Sequence, residues 1–202
     1  MYKRMLLLSM LMLLCGSAAM AQRPGPQFWR KLGCEPYEPR TRLEELDDRH
    51  NSVLIKGFTR ITTVEVRGVR IDAIEMRDTR KTPVASGVLF AKGIVVVLLR
   101  EGGDRPEDNR AFVDYEELDS LLNGIDVISR VDETATKLAG FEARYKTNGD
   151  LEIGVFRQTR SGTAVIISTG ICDRTQQTLS LDDLGKVKAM IQEAKARLDE
   201  IR

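Results

Sequence analysis

Two stretches of alternating apolar and polar residues, each leading into a capped amphipathic helix, constrain the fold of this chain more than any other feature. From Ser52 to Arg100 the alternation runs through Val53 and Ile55, then Val64 and Val66, then Val69, Ile71 and Ala73. A period of two is the pattern of a strand with one face in a core. Gly68 interrupts it and shifts its phase, as a bulge or tight bend in an antiparallel ribbon does. Two further strands are expected at 84–91 and 94–99, around Lys92-Gly93. The second is apolar throughout and is therefore expected in the middle of a sheet, covered on both faces. Residues 101–110 are polar and read as a loop.

The period then changes. Asp114 and Glu117 have the spacing of a capping box, followed by Leu118, Leu121, Leu122, Ile125 and Ile128 on one helical face. Alternation returns at Phe141, Ala143 and Tyr145. Asn148-Gly149 follows as a hairpin signal, both residues tolerating the positive φ of a tight turn. Leu151, Ile153 and Val155, the Ser161-Gly162 turn and a strand from Thr163 to Thr169 come next. Ser180 and Asp183 then cap a last helix with Leu181, Leu184, Val187, Ile191, Ala194, Leu198 and Ile201 on one face. The expected fold class is α+β, with antiparallel sheets and two main amphipathic helices.

Sliding the chain against itself by 66 positions superimposes the two helix caps and both apolar faces, Asp114 on Ser180 and Leu118, Leu121 and Ile125 on Leu184, Val187 and Ile191. The strands at 84–91 and 94–99 fall on 150–157 and 160–165. The pattern is a tandem βββα duplication, with repeat units at 60–134 and 139–202 inside an α+β domain spanning 51–202.

The first 21 residues stand apart. Lys3 and Arg4 precede a run from Met5 to Leu14 broken only by Ser9, and Ala19-Met20-Ala21 offers small residues for cleavage. This reads as a secretory signal peptide cleaved after Ala21, with a run about half as long as a membrane span requires. The expected location is periplasmic or secreted. Residues 22–50 form a Pro-rich arm and a short helix reaching about His50, started by the Thr41/Glu44 capping box. Phe28 and Trp29 in the arm are candidate partner anchors, or else pack on their own domain.

Without the signal, Cys34 and Cys172 are the cysteines that remain, and export would allow them to close a disulfide. Closing so long a loop is worth about 4–5 kcal/mol in the chain-entropy picture. The alternative is two buried thiols.

Other classes of function lack parts. Thirty-one Lys+Arg against 30 Asp+Glu leaves no basic footprint for nucleic acid. His50 is the single histidine, with no ligand-spaced Cys or His near either cysteine, so no metal or cofactor site is expected. There is no phosphate-binding glycine loop and no nucleophile elbow. Glu116-Glu117 and Asp182-Asp183 are assigned to helix first turns, where negative charge complements the dipole. Arg67, Arg70, Arg77 and Arg80 interleave with Glu65, Asp72, Glu75 and Asp78 as cross-strand pairs on a solvated face. Asp104-Arg105 and Asp173-Arg174 recur between strand and helix in both units and read as ion pairing. The expectation is therefore a non-enzymatic binding or interaction module that engages a protein partner through a strand edge or the N-terminal arm. The alternative is a carrier of a small apolar or amphipathic ligand held between the sheet and the C-terminal helix.

Overall fold

The computed structural model describes residues 38–80, 87–99, 110–132, 134–158, 162–170 and 174–201. They lie in one contact unit, Tyr37–Arg202. The expected signal peptide, Phe28, Trp29, Cys34, Asp104-Arg105 and Cys172 lie outside the described residues. Helix α1 (Arg42–Asp47) comes first, then β1 (Leu54–Arg60), β2 (Val69–Asp78), β3 (Phe90–Leu98) and β4 (Arg110–Asp114). A 3-10 turn (Tyr115–Glu117) leads into α2 (Leu118–Ser129). The second half repeats the order with β5 (Phe141–Lys146), β6 (Glu152–Gln158), β7 (Gly162–Thr169), β8 (Thr175–Leu179) and α3 (Leu181–Asp199). Each set of four strands is an antiparallel sheet in sequence order, so the fold is α+β.

The core explains the order. Ile71, Ala73, Ile94, Val96 and Val113 from the first sheet meet Ile153, Val155, Val165 and Ile167 from the second in a single buried cluster with both main helices. α3 lies mainly on β2 and β3, although it follows the second sheet. α2 follows the first sheet and lies on β5 and β6. Each helix therefore fills the core beside the other half's strands. On the opposite face of the first sheet α1 inserts Leu43 and Leu46, both fully buried, against Ile74, Met76, Val95, Val97 and Phe112. β3 is thus covered on both faces, as its unbroken apolar run predicts.

Several local expectations change. β3 runs straight through Lys92-Gly93. The lysine ammonium caps the end of α3, donating to the carbonyls of Leu198 (2.8 Å) and Ile201 (3.0 Å). The glycine is there because a Cβ would sit 2.1 Å from the Val113 carbonyl oxygen. Tyr115, beneath the Lys92 ammonium at 4.5 Å, donates its hydroxyl to Asp199 on α3. Val64 and Val66 form no strand; Val66 makes an isolated bridge to Val69 around Gly68, whose φ is 77°.

The Asn148-Gly149 signal marks a turn of a different kind. Thr147 N–H bonds the Leu151 carbonyl (2.9 Å), so the connection has three residues, and Asp150 carries the positive φ of 60°. Gly149 is required by packing, since a Cβ there would lie 1.9 Å from the Phe112 carbonyl oxygen.

The basic ribbon also pairs differently from a solvated cross-strand ladder. Arg70 pairs with Asp72 (3.2 Å), two positions along the same strand, and Arg77 lies over the Phe90 ring at 5.3 Å. Asp78 has a fully buried side chain that accepts from Arg80 (2.6 Å) and from Arg49 (2.9 Å), the latter only 8% exposed.

The offset of 66 holds for the end of each half. It carries Arg110–Asp114 to 176–180, one residue from β8, and α2 to 184–195, within α3. It fails earlier, carrying β3 to 156–164, across the connection between β6 and β7.

Candidate functional site

Three carboxylates of raised pKa gather around the start of α1 and the turn at 147–151. Burial pushes Glu44, Asp114 and Glu117 upward. Such a group invites a catalytic reading, but each member makes structural hydrogen bonds, although Glu117 Oε2 is buried without a partner. Glu44 accepts from the backbone N–H of Arg40 (2.8 Å) and Thr41 (3.1 Å), completing the expected capping box with the Thr41 hydroxyl. Asp114 makes no cap to its own helix. Its two oxygens accept from Arg42 (2.7 Å) and Leu43 (3.1 Å), the first turn of α1. Glu117, expected to close Asp114's box, instead accepts from Asn148 N–H (3.0 Å) at the distant turn. Asp150 is held by Arg40 (2.9 Å) and Lys146 (2.8 Å). Together these bonds attach α1 and the turn at 147–151 to β4 and the 3-10 turn that follows it, by satisfying backbone donors. No cluster of three or more His, Cys, Asp or Glu among the described residues fits a metal. His50 is exposed.

The edges of the sheets differ more. Among the described residues the large apolar side chains left in water include Val53 (68% exposed), Ile55 (58%) and Phe58 (70%), all in or beside β1. Among the described residues β1 is also the longest edge, seven residues against five for β4, six for β5 and five for β8. The β4 edge region is pressed by Gly149 at Phe112. β5 points Phe141, Ala143 and Tyr145 inward and carries Glu142, Arg144 and Lys146 outward. The outward positions of β8 are Gln176 and Thr178.

The free backbone of β1 follows from its register. Thr79 N–H bonds the Val53 carbonyl (3.1 Å) and Ile61 N–H the Ile71 carbonyl (3.0 Å), each pair lying directly opposite in the β1–β2 ladder. Odd-numbered residues of β1 therefore bond to β2, and the antiparallel pattern turns the amides and carbonyls of Leu54, Lys56, Phe58 and Arg60 outward. Alternation had assigned Val53 and Ile55 to a half-buried face. They are exposed because α3 covers β2 and β3 and does not reach across β1. Periodicity identifies which residues share a face, not whether another element covers it.

The surface formed by the described residues also carries open concavities. A groove of about 350 Å³ lies between β1, β2 and the end of α3, lined by Gly57, Phe58, Glu75, Arg197 and Ile201. A polar trough of about 880 Å³ lies between the Val66–Val69 turn and β8. There Gln177 donates to the Leu99 carbonyl (2.8 Å), and Arg174 is held by Glu152 (2.5 Å) and Ser168 (2.9 Å). No helix among the described residues is long and apolar enough to cross a membrane. No protein-family model, no curated protein and no solved structure matches the chain.

Proposed function

We propose that the chain is an exported, non-enzymatic binding module that takes up an extended segment of another macromolecule by strand addition at β1. The observation that carries this reading is the coincidence, on one strand, of outward backbone groups at alternate positions and of exposed Ile55 and Phe58. Main-chain bonds at an open edge supply affinity, and side chains of alternate residues supply specificity. Proteins often blunt long open edges with charged residues, because an open edge templates pairing, and β1 carries Lys56 and Arg60 beside its exposed apolar side chains.

The test uses a linear peptide selected from a random displayed library against the full chain. Phe58→Pro removes an outward N–H and the ring while leaving β1's bonds to β2 intact. Binding is expected to be lost in Phe58→Pro and retained in Phe58→Val, with both variants folded by circular dichroism. A selected peptide whose affinity is the same for both variants and the parent overturns the reading.

The groove beside Phe58 supports a second reading, a carrier for a small apolar or amphipathic ligand between the sheet and the end of α3. Mass spectrometry of a co-purified ligand displaced by Ile201→Trp would favour the carrier. Export rests on residues 1–21, and a mature N-terminus at Gln22 after expression with the native leader is its test. The shared order of four strands and a helix supports reading the domain as a tandem duplicate.

A further inference from the structure

Resting on the strand-addition reading, the geometry points to the occupant of the β1 edge: an extended segment in which acidic residues alternate with apolar ones. The seven residues of β1 include two cations, Lys56 and Arg60, and no carboxylate. Both side chains share a face with Phe58, two positions to either side of it.

The carboxylates that pair with these two cations lie inboard and are shared. Asp47 on α1 meets Lys56 at 3.4 Å and Arg110 at 2.7 Å, and Asp72 on β2 meets Arg60 at 3.4 Å and Arg70 at 3.2 Å. Four cations thus draw on two carboxylates, whose side chains are only 21% and 13% exposed. Positive charge is left at the outer rim, where the next strand would lie.

A strand added there places one residue opposite each of Lys56, Phe58 and Arg60, within cross-strand reach. Acidic side chains opposite the two cations and an apolar one opposite Phe58 complement this face. The other face presents Ile55, which accepts an apolar neighbour, and Gly57, against which the Glu75 carboxylate lies, 3.1 Å from where a Cβ would sit. A second copy of the chain is a poor occupant. Every antiparallel β1–β1 register sets even positions against even positions, gathering both copies' Lys56 and Arg60 on one face without a carboxylate from either strand.

The probes are three nine-residue peptides with a central Glu-Val-Phe-Val-Glu, Lys-Val-Phe-Val-Lys or Thr-Val-Phe-Val-Thr segment, titrated calorimetrically into the full chain. The acidic peptide is expected to bind about tenfold or more tighter than the basic one, and the preference to shrink in about 1 M salt, where screening acts over a few ångströms. Lys56→Gln with Arg60→Gln is expected to remove the preference and spare the threonine peptide. Equal binding of all three peptides would overturn the acidic occupant and leave strand addition standing. Binding of none would overturn both. A dimer in sedimentation that Phe58→Pro dissociates would make the second copy the occupant and overturn the proposal.

Discussion

Phe58 lies directly opposite Ile74 in the β1–β2 ladder, yet Ile74 is 1% exposed and Phe58 is 70% exposed. The boundary of the α1-covered core therefore runs between two neighbouring strands. Ile74→Ala is expected to cost about 2–4 kcal/mol in denaturant unfolding, as core truncations do. Phe58→Thr is expected to change stability by about 0.5 kcal/mol or less and, because it keeps the outward N–H, to weaken strand addition without abolishing it. Comparable stability losses in the two variants would place Phe58 in the fold rather than in recognition.

Asp114 ties α1 to the end of β4 through the backbone amides of Arg42 and Leu43. Asp114→Ala is expected to cost about 1–2 kcal/mol, the range for losing a helix cap with charge-assisted bonds. Hydrogen exchange at Arg42 and Leu43 should accelerate most. Faster exchange at the start of α2 instead would restore the local cap expected from spacing.

Gly149→Ala drives a methyl into the Phe112 carbonyl and is expected to cost about 2 kcal/mol or more by overpacking. Asp150→Gly keeps the positive φ while losing the bonds to Arg40 and Lys146, and should cost less. Thermal denaturation of the two variants reads the order directly.

These positions show what a local reading of the chain reaches. The caps of α1 and α3, the apolar face of α2, that of α3 apart from Leu181, which is 43% exposed, and the buried centre of β3 depend on neighbours within a few residues and are legible in the pattern. Asp114, Glu117 and Gly149 have familiar local signatures whose actual partners lie 31 to 72 positions away or on another strand. Lys92-Gly93 resembles a turn because both residues serve contacts that no local pattern records. β1 was missed as a site for the same reason. The exposure of Ile55 depends on where α3, more than 100 residues later, stops covering one face of the sheet, and that of Phe58 on where α1 stops on the other.

The Arg80 and Arg49 guanidiniums hold Asp78 well below its ordinary 3.8. A carboxyl depressed in the folded state stabilises above its unfolded pKa and loses that contribution as pH falls toward the folded value. Burial gives Glu44, Asp114 and Glu117 the opposite sign, favouring their protonated forms in the fold. Asp78→Asn should therefore lower the Tm at neutral pH, with the gap to the parent narrowing from about pH 5 to about pH 3. A gap that stays constant over that range would remove Asp78 from the acid response.

Residue-resolved amide exchange of the full chain, with and without the acidic peptide, tests the role of β1 most directly. The outward amides of Leu54, Lys56, Phe58 and Arg60 are expected to exchange quickly in the free protein and to become protected on binding, while Ile55, Gly57 and Thr59 change little. Protection confined to Glu75, Arg197 and Ile201, or spread over β8 with β1 unchanged, would contradict strand addition at this edge.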